Sequence, residues 1–341
     1  MTDHLAGGYD LVIFDLDGVV FLIDKPIPGA ADAIDRLRSG GTSIAFATNN
    51  ASRRAADVAA LLTGMGVNAE PAEVLTSAGA AAALLAERLP AGAPVLVVGA
   101  EALRAEVRDA GLTPVSALED GPVAVLQGYG PEVGWPILAE ATLAVGAGAT
   151  WFATNTDRTL PSPRGPLPGN GSLVAVLRTA LNRDPDVVVG KPQPALFRTA
   201  AAESRAERPL AVGDRLDTDI EGAVNAGMDS LLVLTGVSGP VDLLGAAENQ
   251  RPTHVGADLS ALFRPADESR LPNPGESAWT EIGGWHLTGA GDGVALNGSG
   301  SPVDALRLLC SATWSGTALS AVTAASDEAR ELLKSWDLEP H

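Results

Sequence analysis

The stretch Leu11-Val12-Ile13-Phe14-Asp15-Leu16-Asp17-Gly18 decides how this chain reads. A short apolar run breaks directly into two acids and a glycine, the pattern of a strand that ends in a polar loop. Working outward, a helical pattern at 31–37, an apolar run at 43–47 and a second helical pattern at 55–62 follow. That order, strand, helix, strand, helix, is the sequence form of a parallel sheet with covering helices. Apolar runs at 94–98, 123–127 and 150–153, separated by Ala/Leu-rich helical segments, predict an inserted α/β unit. Runs at 187–189, 210–212 and 230–234 predict that the first sheet resumes.

Polar clusters follow four of these strands: Asp15-Leu16-Asp17-Gly18, Thr48-Asn49-Asn50, Gly190-Lys191-Pro192, and Gly213-Asp214-Arg215-Leu216-Asp217-Thr218-Asp219. In open parallel sheets ligands bind at the carboxyl ends of strands. Each cluster alone is ordinary, since Asp-x-Asp-Gly suits turns and Thr and Asn cap helices. Together they supply acids for a divalent cation, hydroxyl and amide donors, and one fixed positive charge. Other motif readings fail on spacing. A calcium-binding EF-hand loop begun at Asp15 needs Gly where Val20 stands, and a Walker A loop ending at Lys191 meets Pro185 and Pro192. The dinucleotide pattern G-x-G-x-x-G lacks its third glycine at Trp151, Val174, Val294 and Val303.

Composition narrows the function classes. The 341 residues suffice for two or three domains, and 46% hydrophobic with 19% charged residues is a globular balance. With 42 acids against 23 basic residues the net charge is −19, which repels polyphosphate backbones and anionic lipid, so neither nucleic acid nor a membrane is an expected partner. The uncharged stretch 141–156 is too short to span a bilayer. No secretory leader is read before Asp10, and Cys310, the single cysteine, excludes an intrachain disulfide; the expected location is the cytoplasm.

The four clusters resemble the motifs of the haloacid dehalogenase superfamily of aspartate-nucleophile phosphatases, over roughly residues 9–262. The Thr-Asn-Asn and Gly-Lys-Pro forms and the large insertion resemble the branch of NagD, p-nitrophenyl phosphatases, and phosphoglycolate and glycerol-3-phosphate phosphatases. The resemblance implies a Rossmann-like parallel-sheet α/β core, residues 1–78 and 184–264, with an inserted α/β cap of the C2 type at 79–183. It implies Mg²⁺ held at Asp15, Asp17 and Asp214, with Asp219 orienting a metal-bound water. Asp15 is then the nucleophile and Asp17 the acid and base; Thr48, Asn49, Asn50 and Lys191 bind phosphate. In the cap, Ala153-Thr154-Asn155-Thr156-Asp157 resembles a loop of that branch, which makes Asn155, Asp157 and Arg158 candidates to read the substrate. Gly128-Tyr129-Gly130 departs from the acidic residue usual nearby, which weakens transfer of a substrate from any relative. The implied reaction is Mg²⁺-dependent hydrolysis of a small phosphorylated metabolite, glycerol 3-phosphate first. Phosphoglycolate, p-nitrophenyl phosphate, a nucleotide and pyridoxal phosphate are the alternatives, and a phosphotransferase or a non-catalytic sensor the competing classes.

Residues 265–341 stand outside that resemblance as a linker, 264–277, and a small α+β extension. A hairpin around Gly289-Ala290-Gly291-Asp292 and helices at 302–314 and 327–336 give it the order of an acetyltransferase-like fragment. His286 stands where Arg or Gln would open a coenzyme loop, so Trp279, Trp285, Trp314 and Trp336 read as packing residues. A homodimer through the cap or the extension is compatible with this. Removal of the extension is expected to leave the four motifs intact.

Overall fold

In the computed structural model, which describes residues 4–338 apart from 24, 274 and 292, Leu11–Phe14 is a strand with all four side chains buried. It pairs in parallel with Pro209–Gly213, which pairs with Asp229–Val233, which pairs with His254–Gly256. The interior strands read as unbroken apolar runs because both faces are covered. These strands belong to one of two compact units, Met1–Phe21, Ile27–Ser43 and Ala206–His341; the other comprises Leu22–Pro26 and Ile44–Arg205. The four segments expected from the sequence do not coincide with these bounds.

The first unit also holds the C-terminal extension. Glu281–Ile282, Trp285–Ala290 and Gly293–Gly298 form an antiparallel ribbon, and Val322–Ala324 adds to it in parallel. Asp292, within the expected hairpin turn, lies outside the described residues. Helix Pro302–Trp314 begins with Pro just after the cap Ser301, whose hydroxyl accepts from the Val303 N–H. Its apolar side chains do not form a separate core. Leu306, Leu309 and Cys310 pack in one cluster with Trp285, Leu296, Val322 and Leu333 and with Leu216, Ile220, Leu232, Leu243 and Val255. The Trp314 indole N–H donates to the Leu243 carbonyl at 3.1 Å.

The expected linker is a correction. Its polar composition suggested a loose tether, yet the Val255 N–H donates to Ser269 O and the Leu271 N–H to Thr253 O, both at 2.9 Å. Leu271 is buried in the same cluster. Arg307, almost wholly buried, donates to the Arg270 and Asp267 carbonyls. Arg270 pairs with Glu276, and that bond, with the Asn273 N–H and the Trp279 indole, holds the Glu276 carboxyl down to about 2. Composition records which side chains face water; it does not record where backbone hydrogen bonds go.

His254 sits beside this segment, 4% exposed, with Nδ1 3.0 Å from Ser269 Oγ. The Ser269 hydroxyl donates to Ala266 O, so the neutral tautomer with Nδ1–H fits. Burial lowers its pKa from 6.5 to about 4, Asp229 opposes that, and Arg307 and Arg270 add to it. The unfolded chain therefore binds the extra proton first. Stability present above pH 6.5 is lost as pH falls toward 4, by about 3 kcal/mol in all. Thermal melts from pH 7 to pH 4.5 should show this fall in the wild type and a flatter response in His254→Gln; equal slopes would remove His254 as its source.

In the second unit Ser43–Thr48, but for its first residue, pairs in parallel with Val74–Thr76. A five-stranded parallel sheet follows, in the order Val187–Val188, Thr150–Ala153, Ala124–Gln127, Pro94–Val98, Thr113–Val115. Its strands alternate between two cores. Val95, Val97, Leu126 and Phe152 pack with Leu85, Leu103 and Val107, while Leu96, Val98, Val125 and Trp151 pack with Leu138, Val145 and Leu177. The run at 187–189 was expected to resume the first sheet. It pairs instead with Thr150–Ala153, in the register Val187↔Phe152 and Val188↔Ala153. A two-residue strand carries too little pattern to choose its sheet.

Candidate active site

Asp15 follows the strand Leu11–Phe14 and continues its ladder, its N–H donating to Val212 O at 2.8 Å. The chain then turns back on itself, with the Gly18 N–H on Phe21 O at 2.7 Å and Asp17 bridged to Phe21. Gly18 holds φ +86°, and a Cβ there would stand 2.4 Å from Asp214 Oδ2. Only glycine meets both demands.

Asp214 directly follows the neighbouring strand Pro209–Gly213 and is 1% exposed. Asp219 lies in the turn Leu216–Ile220, 2% exposed, its Oδ2 accepting from the Arg215 N–H at 3.1 Å. One carboxylate oxygen from each of Asp15, Asp214 and Asp219 lies within 4.8 Å of the others. Asp17 is not in that trio, and Asp217 points to solvent, paired with Arg215. Three carboxylates so close repel one another, and hard oxygen donors with no sulfur or imidazole suit Mg²⁺. The glycine contacts around Asp214 leave its carboxylate little freedom to swing away. The residues fit the ion.

A fifth loop, missed in the sequence, lies against these acids. Thr235-Gly236-Val237-Ser238 follows strand Asp229–Val233 and wraps Asp214. The Val237 N–H donates to Asp214 Oδ2 at 2.7 Å and the Ser238 N–H to its carbonyl at 3.0 Å. Ser238 Oγ accepts from the Leu216 N–H, and Thr235 Oγ1 donates to Gly18 O at 2.6 Å. The same signal, a polar cluster after a strand, was available there. A Cβ on Gly236 would fall 1.9 Å from Asp214 Oδ2. Gly236→Ala should therefore displace that carboxylate and weaken Mg²⁺ binding about 10- to 100-fold, the usual cost of disturbing a ligand's supports, as read by calorimetry. Unchanged affinity would mean that Asp214 is not a ligand.

In the second unit Lys191, 2% exposed, directs Nζ to the Ala47 carbonyl at 2.9 Å. Thr48 is buried and its Oγ1 accepts from the Asn50 N–H at 3.1 Å. Asn50 is exposed, its side-chain oxygen accepting from the Ser52 N–H and hydroxyl. Asn49 was expected to offer its amide to a phosphate. Its Nδ2 instead donates to Lys191 O at 3.0 Å and to the Asp157 carboxylate at 3.1 and 3.2 Å, and its Oδ1 accepts from the Lys191 N–H at 2.8 Å. Both amide protons are in use. Asn155 Nδ2 likewise donates to Asn49 O, at 2.6 Å, and to Thr154 Oγ1, at 3.4 Å. Arg158 is exposed, with its carbonyl accepting from the Gly169 N–H and the Ser172 hydroxyl.

Residues 12–113 match the family model of haloacid dehalogenase-like hydrolases, residues 188–262 a second model of the same kind, and residues 282–338 the model of a GCN5-related N-acetyltransferase like domain. The chain belongs to the haloacid dehalogenase-like hydrolases. Among individual proteins, it is 45% identical to the D-glycerol 3-phosphate phosphatase of Mycobacterium tuberculosis, across 98% of this chain and 96% of that one. The crystal structure of glycerol phosphate phosphatase from Mycobacterium tuberculosis in complex with magnesium superposes with TM-score 0.90 and 43% identity, over 99% of this chain and 100% of that one. The 4-nitrophenylphosphatase of Thermotoga maritima gives TM-score 0.70 and 30% identity, over 76% of this chain and 98% of its own.

Proposed function

We propose that this chain is a Mg²⁺-dependent phosphomonoesterase whose first substrate is D-glycerol 3-phosphate. The observation that carries the reading is the full-length likeness to a phosphatase of that substrate, extension included, in a chain whose Asp15, Asp214 and Asp219 converge. Asp15, Asp214 and Asp219 would hold Mg²⁺, which would supply the positive charge that lets a carboxylate approach a phosphate dianion.

Asp15 then attacks phosphorus. A bond forms from its carboxylate oxygen to phosphorus as the bond to the alcohol oxygen breaks, and Asp17 gives that oxygen its proton. In the second half Asp17 takes a proton from water, the water oxygen bonds to phosphorus, and the bond to Asp15 breaks. Thr48, Asn50 and Lys191 are the proposed phosphate-holding groups, Lys191 because a buried ammonium is a fixed positive charge of the kind that stabilises a phosphoryl-transfer transition state. We assign 79–183 the role of cap, with exposed Arg158 as its substrate contact. Among the described residues no helix is long and apolar enough to cross a membrane. The single cysteine, Cys310, which cannot form an intrachain disulfide, supports placing the enzyme in the cytoplasm.

The test is phosphate release from D-glycerol 3-phosphate, phosphoglycolate, p-nitrophenyl phosphate, a nucleotide and pyridoxal phosphate, each with Mg²⁺ and with EDTA. Release that requires Mg²⁺, with the highest kcat/KM for D-glycerol 3-phosphate, is expected. Higher kcat/KM for another ester would reassign the substrate; no release, or release indifferent to EDTA, would overturn the class.

A further inference from the structure

We propose that Asp157 is a positioning residue for Lys191, acting through the side chain of Asn49. The inference rests on the reading of Lys191 as a phosphate-holding group. The Asn49 amide pairs with the Lys191 backbone twice, accepting from its N–H at 2.8 Å and donating to its carbonyl at 3.0 Å. Asn49 thus sets where the lysine leaves the chain, and the Ala47 carbonyl then receives Nζ at 2.9 Å. The fit is close: a Cβ on Gly190 would stand 2.4 Å from Asn49 Oδ1 and 2.5 Å from the Thr154 carbonyl.

A side-chain amide can turn over and exchange its oxygen for its nitrogen. A carboxylate only accepts, so Asp157 adds to the Lys191 carbonyl in holding the Nδ2 end in place and leaves Oδ1 for the Lys191 N–H. Charge makes this bond stronger than a neutral one. Asp157 is itself held, its N–H donating to Asn155 Oδ1 at 3.2 Å while Asn155 Nδ2 donates to Asn49 O at 2.6 Å. The ring Asn49, Asp157, Asn155 closes on itself, and the Ser77 hydroxyl also donates to Asn49 O at 2.6 Å. Thr156 and Arg158 flank Asp157, and Arg158 is exposed. A loop that reaches solvent is therefore joined to the buried lysine through one amide. A substrate-reading Asp157 would instead leave its carboxylate for the ligand.

Two readouts separate these roles. In steady-state kinetics Asp157→Ala should lower kcat about tenfold with KM within about twofold, as expected when a catalytic group is displaced while substrate binding is left intact. The Asn49→Ala/Asp157→Ala double variant should be no slower than Asn49→Ala, because the proposed action of Asp157 on Lys191 runs through the Asn49 amide. Losses that multiply, or a rise in KM as the main effect, would overturn the proposal. The second readout needs no turnover: hydrogen exchange at the Lys191 amide should quicken about tenfold in Asp157→Ala and stay at the wild-type rate in Arg158→Ala. Unchanged exchange in Asp157→Ala overturns the proposal. Absent phosphate release from the wild type, with exchange altered as expected, would instead overturn the phosphatase reading and leave the link between Asp157 and Lys191 standing.

Discussion

Asp15→Asn should fold, melt within a few degrees of the wild type and turn over at least about 10⁴-fold more slowly, the scale of loss when a nucleophile is removed. The amide keeps the shape and can still receive a metal through its oxygen. It loses the negative oxygen that attacks phosphorus. One carboxylate fewer in the trio also relieves repulsion, so folding has no reason to suffer. Mg²⁺ should bind more weakly, because a neutral oxygen replaces a charged ligand. Phosphate release after exhaustive purification, beside a calorimetric Mg²⁺ titration, checks both. Near wild-type turnover would remove Asp15 as the nucleophile.

The second large effect concerns the extension. A chain ending at residue 264 was expected, from composition, to keep its motifs intact; the packing predicts that it will not fold to a stable state. Leu216, Ile220, Leu232, Leu243 and Val255 share one cluster with Leu306, Leu309 and Trp285. Half-uncovering five such side chains costs about 1 kcal/mol each, roughly 5 kcal/mol against a typical total of about 5–15. Leu216 and Ile220 bracket the turn that carries Asp219, so the damage reaches the site. Circular dichroism melts should show no cooperative transition near the wild-type temperature. A full-length Leu309→Ala, expected to lose about 2–5 kcal/mol, keeps the claim testable if the short chain cannot be made. A truncated protein that melts and hydrolyses like the full chain would show the extension to be a passenger. The Thermotoga maritima structure aligns with only 76% of this chain, so the fold itself does not demand such a segment; the apolar side chains it covers here do.

What the sequence disclosed and what it hid follow from pattern length. Leu11–Phe14 and Pro94–Val98 are legible because interior strands of parallel sheets are apolar throughout, and helix Pro302–Trp314 because Ser301 and Pro302 mark its start. Val74–Thr76, His254–Gly256 and Val322–Ala324 are three residues each and carry no period to detect. The acids of the proposed metal site are legible because the polar clusters that follow four predicted strands would otherwise have no reason to occur together. The role of Asn49 is not, since an amide that binds a phosphate and one that braces a backbone are the same letter. Only its partners, Asp157 and Lys191, distant in sequence, distinguish the two.

The covalent step is the centre of the proposed chemistry, and a single-turnover experiment reaches it directly. Asp17→Asn loses both proton transfers, so it is mixed with p-nitrophenyl phosphate labelled in phosphorus, whose phenolate leaves without an acid while loss of the base slows release of the phosphate from Asp15, then quenched in acid and digested. Label on the peptide containing Asp15, lost on treatment with hydroxylamine and absent from Asp15→Asn/Asp17→Asn, is the expected result. Wild-type turnover in the same preparation conditions, with no label on that peptide at any quench time, would contradict it.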